Sequence, residues 1–91
     1  MSAFGSRLKE ARLQAGFSQE QLGIEAGLDP MYVSARMNRY ELGKRVPDHQ
    51  VTKKFALVLG VPAAYFYATE EDEAQLLSKY YLRPTLKRQK L

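Results

Sequence analysis

With 91 residues, 45% of them hydrophobic, the chain has room for one folded unit, and a chain of this size buries only about 60–65% of its unfolded surface. It contains no cysteine, which excludes disulfides and cysteine-based metal sites and is compatible with a reducing compartment. The formal charge of +4 points only weakly to a polyanionic partner; where the charges fall says more.

No apolar run approaches the roughly 20 residues needed to cross a bilayer, and the opening MSAFGSRLKEAR lacks the apolar core of a secretory signal. The expectation is a cytoplasmic protein. Phe4, Leu8, Ala11 and Ala15 recur at i, i+4, i+7 and i+11, the stripe of a helix with one buried face. Ser2 is a candidate cap for it and Gly16 ends it, while Arg7, Lys9, Glu10 and Arg12 lie mostly off the stripe.

Ser18 and Gln21 have the spacing of a capping box and start a second helix, Gln19 to Ala26. Gly23 and Ala26 are small enough to let another helix approach closely, and Gly27 sits where a left-handed C-terminal cap is needed. Asp29, with Pro30 at the first helical position, predicts a third helix from Pro30 to about Tyr40. Two helices joined by about three residues around a glycine form a helix-turn-helix pattern, whose second helix enters the DNA major groove.

At 100° per residue, Val33, Met37 and Tyr40 gather on one side of the third helix as core. Met31, Tyr32, Ala35, Asn38 and Arg39 fall opposite, with Ser34 and Arg36 on the flanks. That side suits a groove: small residues permit close approach, and arginine and asparagine can make paired hydrogen bonds to guanine and adenine edges. Arg36, Arg39, Lys44, Arg45, Lys53 and Lys54 form a basic cluster opposed locally by Glu41 and Asp48.

Asp48 predicts the start of a fourth helix reaching about Leu59, with Val51, Phe55, Ala56 and Leu59 inward. Gly60 stops it. Pro62 starts a short fifth helix, Ala63 to Tyr67, whose Phe66 is a core plug. Thr69 is a candidate cap for a sixth helix with Glu70, Glu71, Asp72 and Glu73 at its start, as the helix dipole favours. Ala74, Leu77 and Tyr81 give that helix one apolar side, which Leu76 and Tyr80 widen. From Arg83 onward RPTLKRQKL has no periodicity and reads as a basic tail. The fold class is therefore all-α, a compact five-helix bundle with an additional C-terminal helix. It divides into residues 1–68 as the helix-turn-helix unit, 69–82 as a capping or dimerisation helix, and 83–91 as the tail.

The linked segments RLKEARLQAGFSQEQL, EAGLD, YELGKRVPD and FALVLGVPAAYF, in this order and with these gaps, resemble the Cro/phage-repressor (xenobiotic-response-element) type of helix-turn-helix transcriptional regulators. The resemblance covers Phe4 to Phe66. It implies a repressor-like bundle that binds double-stranded operator DNA, usually as a symmetric homodimer. It matches Gln19 to a residue that touches a phosphate and braces the recognition helix, and Asp29 to Ala35 to the part that contacts bases. It matches Lys44 and Arg45 to a phosphate-contacting loop, and Arg12 and Glu41 to a structural salt bridge.

The chain departs from the family where Val33 and Glu41 stand eight apart instead of about four. One extra turn, roughly 6 Å, keeps later residues facing the same way. A longer recognition helix or a longer preceding loop accommodates it. Base contacts beyond Ala35 then fall to Arg36, Asn38 and Arg39, which reach bases deeper in the groove or turn to phosphates.

Three features remain open on the residues alone. The lone His49 reads as a surface residue with no second histidine for a metal site. Tyr65, Tyr67, Tyr80 and Tyr81 serve either the core or a dimer interface, and Ile24 takes a normally polar position. No nucleophile–base set, paired cavity carboxylates or phosphate-cradling loop points to an enzyme, and no cofactor is implied. The function expected is sequence-specific repression; the alternative is an antitoxin-like module that neutralises a protein partner through its C-terminal segment.

Overall fold

The computed structural model describes residues 3–80, and all regular structure among them is helical. Five α-helices run in order: α1 (Ala3–Ala15), α2 (Gln19–Glu25), α3 (Val33–Glu41), α4 (His49–Leu59) and α5 (Glu71–Tyr80), with a 3-10 helix, Ala63–Tyr67, between the last two. The proposed cap Ser2, the side chain of Tyr80, Tyr81 and the tail from Arg83 lie outside the described residues.

Local chemistry sets most of the boundaries. Gln21 N–H donates to the Ser18 hydroxyl while Ser18 N–H donates to the Gln21 side chain, closing the capping box of α2. Its other end is a Schellman motif: Leu28 N–H reaches the Gly23 carbonyl and Gly27 N–H the Ile24 carbonyl, with Gly27 at φ 88°. The same motif ends α3, where Lys44 N–H bonds the Arg39 carbonyl and Gly43 N–H that of Tyr40. Asp48 caps α4 by accepting from Val51 N–H.

Two boundaries differ from the sequence expectation. The third helix begins at Val33, not at Pro30, so the link from α2 occupies residues 26–32. Asp29 caps a turn instead: its side chain accepts from Met31 N–H and its carbonyl from Tyr32 N–H. Tyr32, at φ −114° and ψ 3°, is not helical, which delays the start. The last helix likewise begins at Glu71, with its first backbone bond from Ala74 N–H to the Glu70 carbonyl, so Thr69 lies too early to be its cap.

The core runs through all the elements. Leu8, Leu22, Met37, Phe55, Leu59 and Phe66 are completely shielded from water. Phe4 and Phe66 stack with ring centroids 5.0 Å apart, and Tyr40 meets Phe55 edge-on. Tyr65 joins the core while Tyr67 stays largely exposed with its ring edge against Phe4, so the two tyrosines divide. Two contacts require glycine. A Cβ on Gly23 would lie 2.1 Å from Val33 Cγ2, so α2 and α3 touch there. One on Gly5 would lie 2.5 Å from the Glu41 carbonyl oxygen, so α1 crosses the end of α3 at backbone distance.

Candidate nucleic-acid interface

The helix α3 is two-sided. Val33, Met37 and Tyr40 bury one side and Glu41 joins them at the C-terminal end. Val33, Met37 and Glu41 are successive i, i+4 steps, so the extra turn preserves the core register. Ser34, Ala35, Arg36, Asn38 and Arg39 are all exposed on the other side. Met31, 79% exposed, and Tyr32 extend that surface from the turn preceding α3. Met31 and Tyr32 thus place exposed apolar surface beside polar and basic residues, the mixture found at interaction sites.

The following loop is held against the same helix. Gly43 adopts φ 76°, and the backbone N–H groups of Lys44 and Arg45 both donate to the Arg39 carbonyl, at 2.9 and 3.3 Å. The exposed side chains of Lys44 and Arg45 thus start from a backbone fixed to the end of α3. Lys54 separates from the rest of the basic cluster: its ammonium lies beside Gly27 at the C-terminal end of α2, where the helix dipole favours a cation.

Behind this surface sits a closed charge network. Arg12 Nε donates to Glu41 Oε2 at 2.6 Å and its Nη2 to Oε1 at 3.1 Å, a two-pronged pair that joins α1 to α3. Arg12 Nη1 also donates to the Phe17 carbonyl, and Gln19 Nε2 adds a bond to Glu41 Oε1 at 3.0 Å. The carboxylate side chain is only 4% exposed, and burial at that depth is tolerable because its partners replace water. Gln19, half-buried, therefore contacts the base of α3 directly. The described residues include Ile24 and His49 on the surface.

A second network went unread in the sequence. Arg7, expected off the buried stripe, is 9% exposed. Its Nε donates to the Ala68 carbonyl, and its Nη1 to Glu10 and, at 2.9 Å, to Glu71 at the start of α5. Tyr65 donates its phenolic proton to Glu10. Bonding to Arg7 lowers the Glu71 pKa, whereas burial and then the Glu10 bond raise that of Tyr65 and keep it a donor. The only sequence signal was Arg7's place at the edge of the stripe, 40° from Ala11 at about 100° per residue.

A helix-turn-helix domain family model matches residues 3–65. Over 58 residues, 64% of this chain, the sequence is 34% identical to the SPbeta prophage-derived uncharacterized HTH-type transcriptional regulator YonR of Bacillus subtilis (strain 168). The match spans about half the length of that relative, 50%. The crystal structure of transcriptional regulator BswR superposes with a TM-score of 0.81 at 42% identity, over 99% of this chain and 86% of that one. With a two-sided α3 closely packed on α2, and relatives named as transcriptional regulators, this chain belongs to the helix-turn-helix domain family.

Proposed function

We propose that the protein is a sequence-specific DNA-binding regulator of transcription that acts as a repressor by occupying a promoter. The observation carrying this reading is the exposed outer side of α3, continuous with a loop whose two cations are anchored to the same helix. In it, Met31, Tyr32, Ser34, Ala35, Arg36, Asn38 and Arg39 contact bases in the major groove. Gln19, Lys44 and Arg45 hold phosphates and set the orientation. Arg12 and Glu41 contact no DNA and keep α3 at a fixed angle to α1.

Residues 1–68 form the DNA-binding unit, with 69–82 as a segment, built on α5, that caps it or dimerises and 83–91 adding positive charge. A homodimer places two such helices about 34 Å apart on a near-palindromic site. The names of the two relatives, both regulators, agree with this reading. Two replacements test the division of labour. Arg39→Ala should weaken binding to the preferred duplex by about 1–3 kcal/mol and relax preference at one position only. Lys44→Ala should weaken all duplexes alike and lower the slope of log affinity against log salt by about one. Unchanged binding in both variants would reject the assignment of this surface.

A further inference from the structure

We propose that the apolar leading edge of the α3 surface, Met31 and Ala35 with Tyr32 beside them, reads the 5-methyl group of a thymine in the bound site. This deepens the DNA-binding reading above and rests on it.

Met31 and Tyr32 are apolar side chains on a backbone that is held at both ends. Met31 N–H donates to Asp29 Oδ1 at 2.9 Å, and Tyr32 N–H to the Asp29 carbonyl at 3.0 Å. The Tyr32 carbonyl accepts from Arg36 N–H at 3.0 Å, which fastens the turn to the start of α3. Both side chains nevertheless stay out of the core. Met31 has the highest exposure of any large apolar residue among the described residues, and Tyr32 is 56% exposed. Ala35, also exposed, lies about 160° round the helix from both Val33 and Met37, on the outermost line of α3. Asn38 and Arg39 follow it by one turn on the same side.

That order selects a base. A helix-turn-helix presents the N-terminal end of its second helix to base edges, so the apolar residues arrive there first. In the major groove thymine alone carries an apolar group, its C5 methyl; guanine, adenine and cytosine offer ring nitrogens, carbonyl oxygens or amino groups. Apolar side chains laid over those atoms would leave them without water or a partner, which is costly. Laid over a thymine methyl, the same side chains take apolar surface out of water on both molecules. The exposed cations Arg36, Arg39, Lys44 and Arg45 near this edge favour a polyanion over a protein as its occupant.

Titration of the full chain with a duplex carrying its selected site, each thymine replaced in turn by uracil, removes one methyl at a time. At one or more of these thymines the replacement should weaken binding about fourfold. With cytosine at such a position, 5-methylcytosine should bind better than cytosine by about the same factor, because the methyl is read and not the neighbouring polar atom. Met31→Ser and Ala35→Ser alter exposed side chains, with far-ultraviolet dichroism as the folding control. In each variant the methyl effect should disappear at one or more of those positions. A random library that yields no selected site would overturn the DNA-binding reading and this inference with it. A selected site that binds equally well with uracil at every position would overturn the inference alone. So would a methyl effect that survives both substitutions, or DNA binding indifferent to them, which would give the apolar edge to a protein partner.

Discussion

Arg7 and Arg12 stand on the same helix, five residues apart, and both are nearly withdrawn from water, yet they hold the molecule in different ways. Arg12 meets a carboxylate whose side chain is 4% exposed, inside a network that also uses Gln19 and the Phe17 carbonyl. Arg7 meets Glu10 and Glu71, the latter 59% exposed at its side chain. The first pair cannot lose a member without stranding a charge in a low-dielectric interior. The second can be replaced in part by water. One arginine thus locks the helices that present the outer side of α3, and the other docks an accessory helix with a hold that solvent can loosen.

The largest effect is expected of Glu41→Ala. Removing one member of a buried pair should cost about 3–5 kcal/mol, read from the urea midpoint; a loss below about 1 kcal/mol would place the pair among surface contacts. Gly5→Ala probes the same α1–α3 junction without touching charge. The added Cβ meets a backbone carbonyl that no rotamer change can move, so a loss of about 1–3 kcal/mol or somewhat more is expected.

On the other side, Arg7→Ala removes hydrogen bonds to the Ala68 carbonyl and two carboxylates. About 1–3 kcal/mol is expected, with faster amide exchange concentrated in residues 71–80. Equal loosening of α2 and α3 would show that the two arginines are not separable.

The smallest effect belongs to pH. Bonding to Arg7 depresses the Glu71 pKa in the folded chain below the ordinary 4.5. Its contribution is therefore fully present above that value and is lost as pH falls through the folded pKa. Glu71→Gln should remove this part of the acid dependence of α5 docking, and amide exchange across α5 at pH 6 and pH 3.5 would register it. A variant with the wild-type acid response would assign the dependence to other carboxylates.

What the sequence disclosed follows the range of the interactions. The capping box at Ser18, the left-handed glycines and the Val33–Met37–Tyr40 stripe act within a turn or two, so their chemistry is written in neighbouring residues. The start of α3 was misplaced because Asp29 and Pro30 fit a helix and a capped turn equally well, and only the geometry at Tyr32 separates them. The Arg12–Glu41 pair spans 29 positions and entered the sequence reading only through family resemblance. Arg7 was missed for the same physical reason, since what covers it comes from Ala68 and Glu71, more than 60 positions away. Periodicity shows which side of a helix is apolar; it does not show which charged neighbour of that side a distant segment will cover.

Selection of bound duplexes from a random library at moderate ionic strength decides whether the outer side of α3 reads DNA sequence. One enriched near-palindromic site is expected, with preference at one position in each half lost in Arg39→Ala. A library returning no enriched site, or one returning the same site with unchanged preference after Arg36, Asn38 and Arg39 are all replaced by alanine, would contradict it.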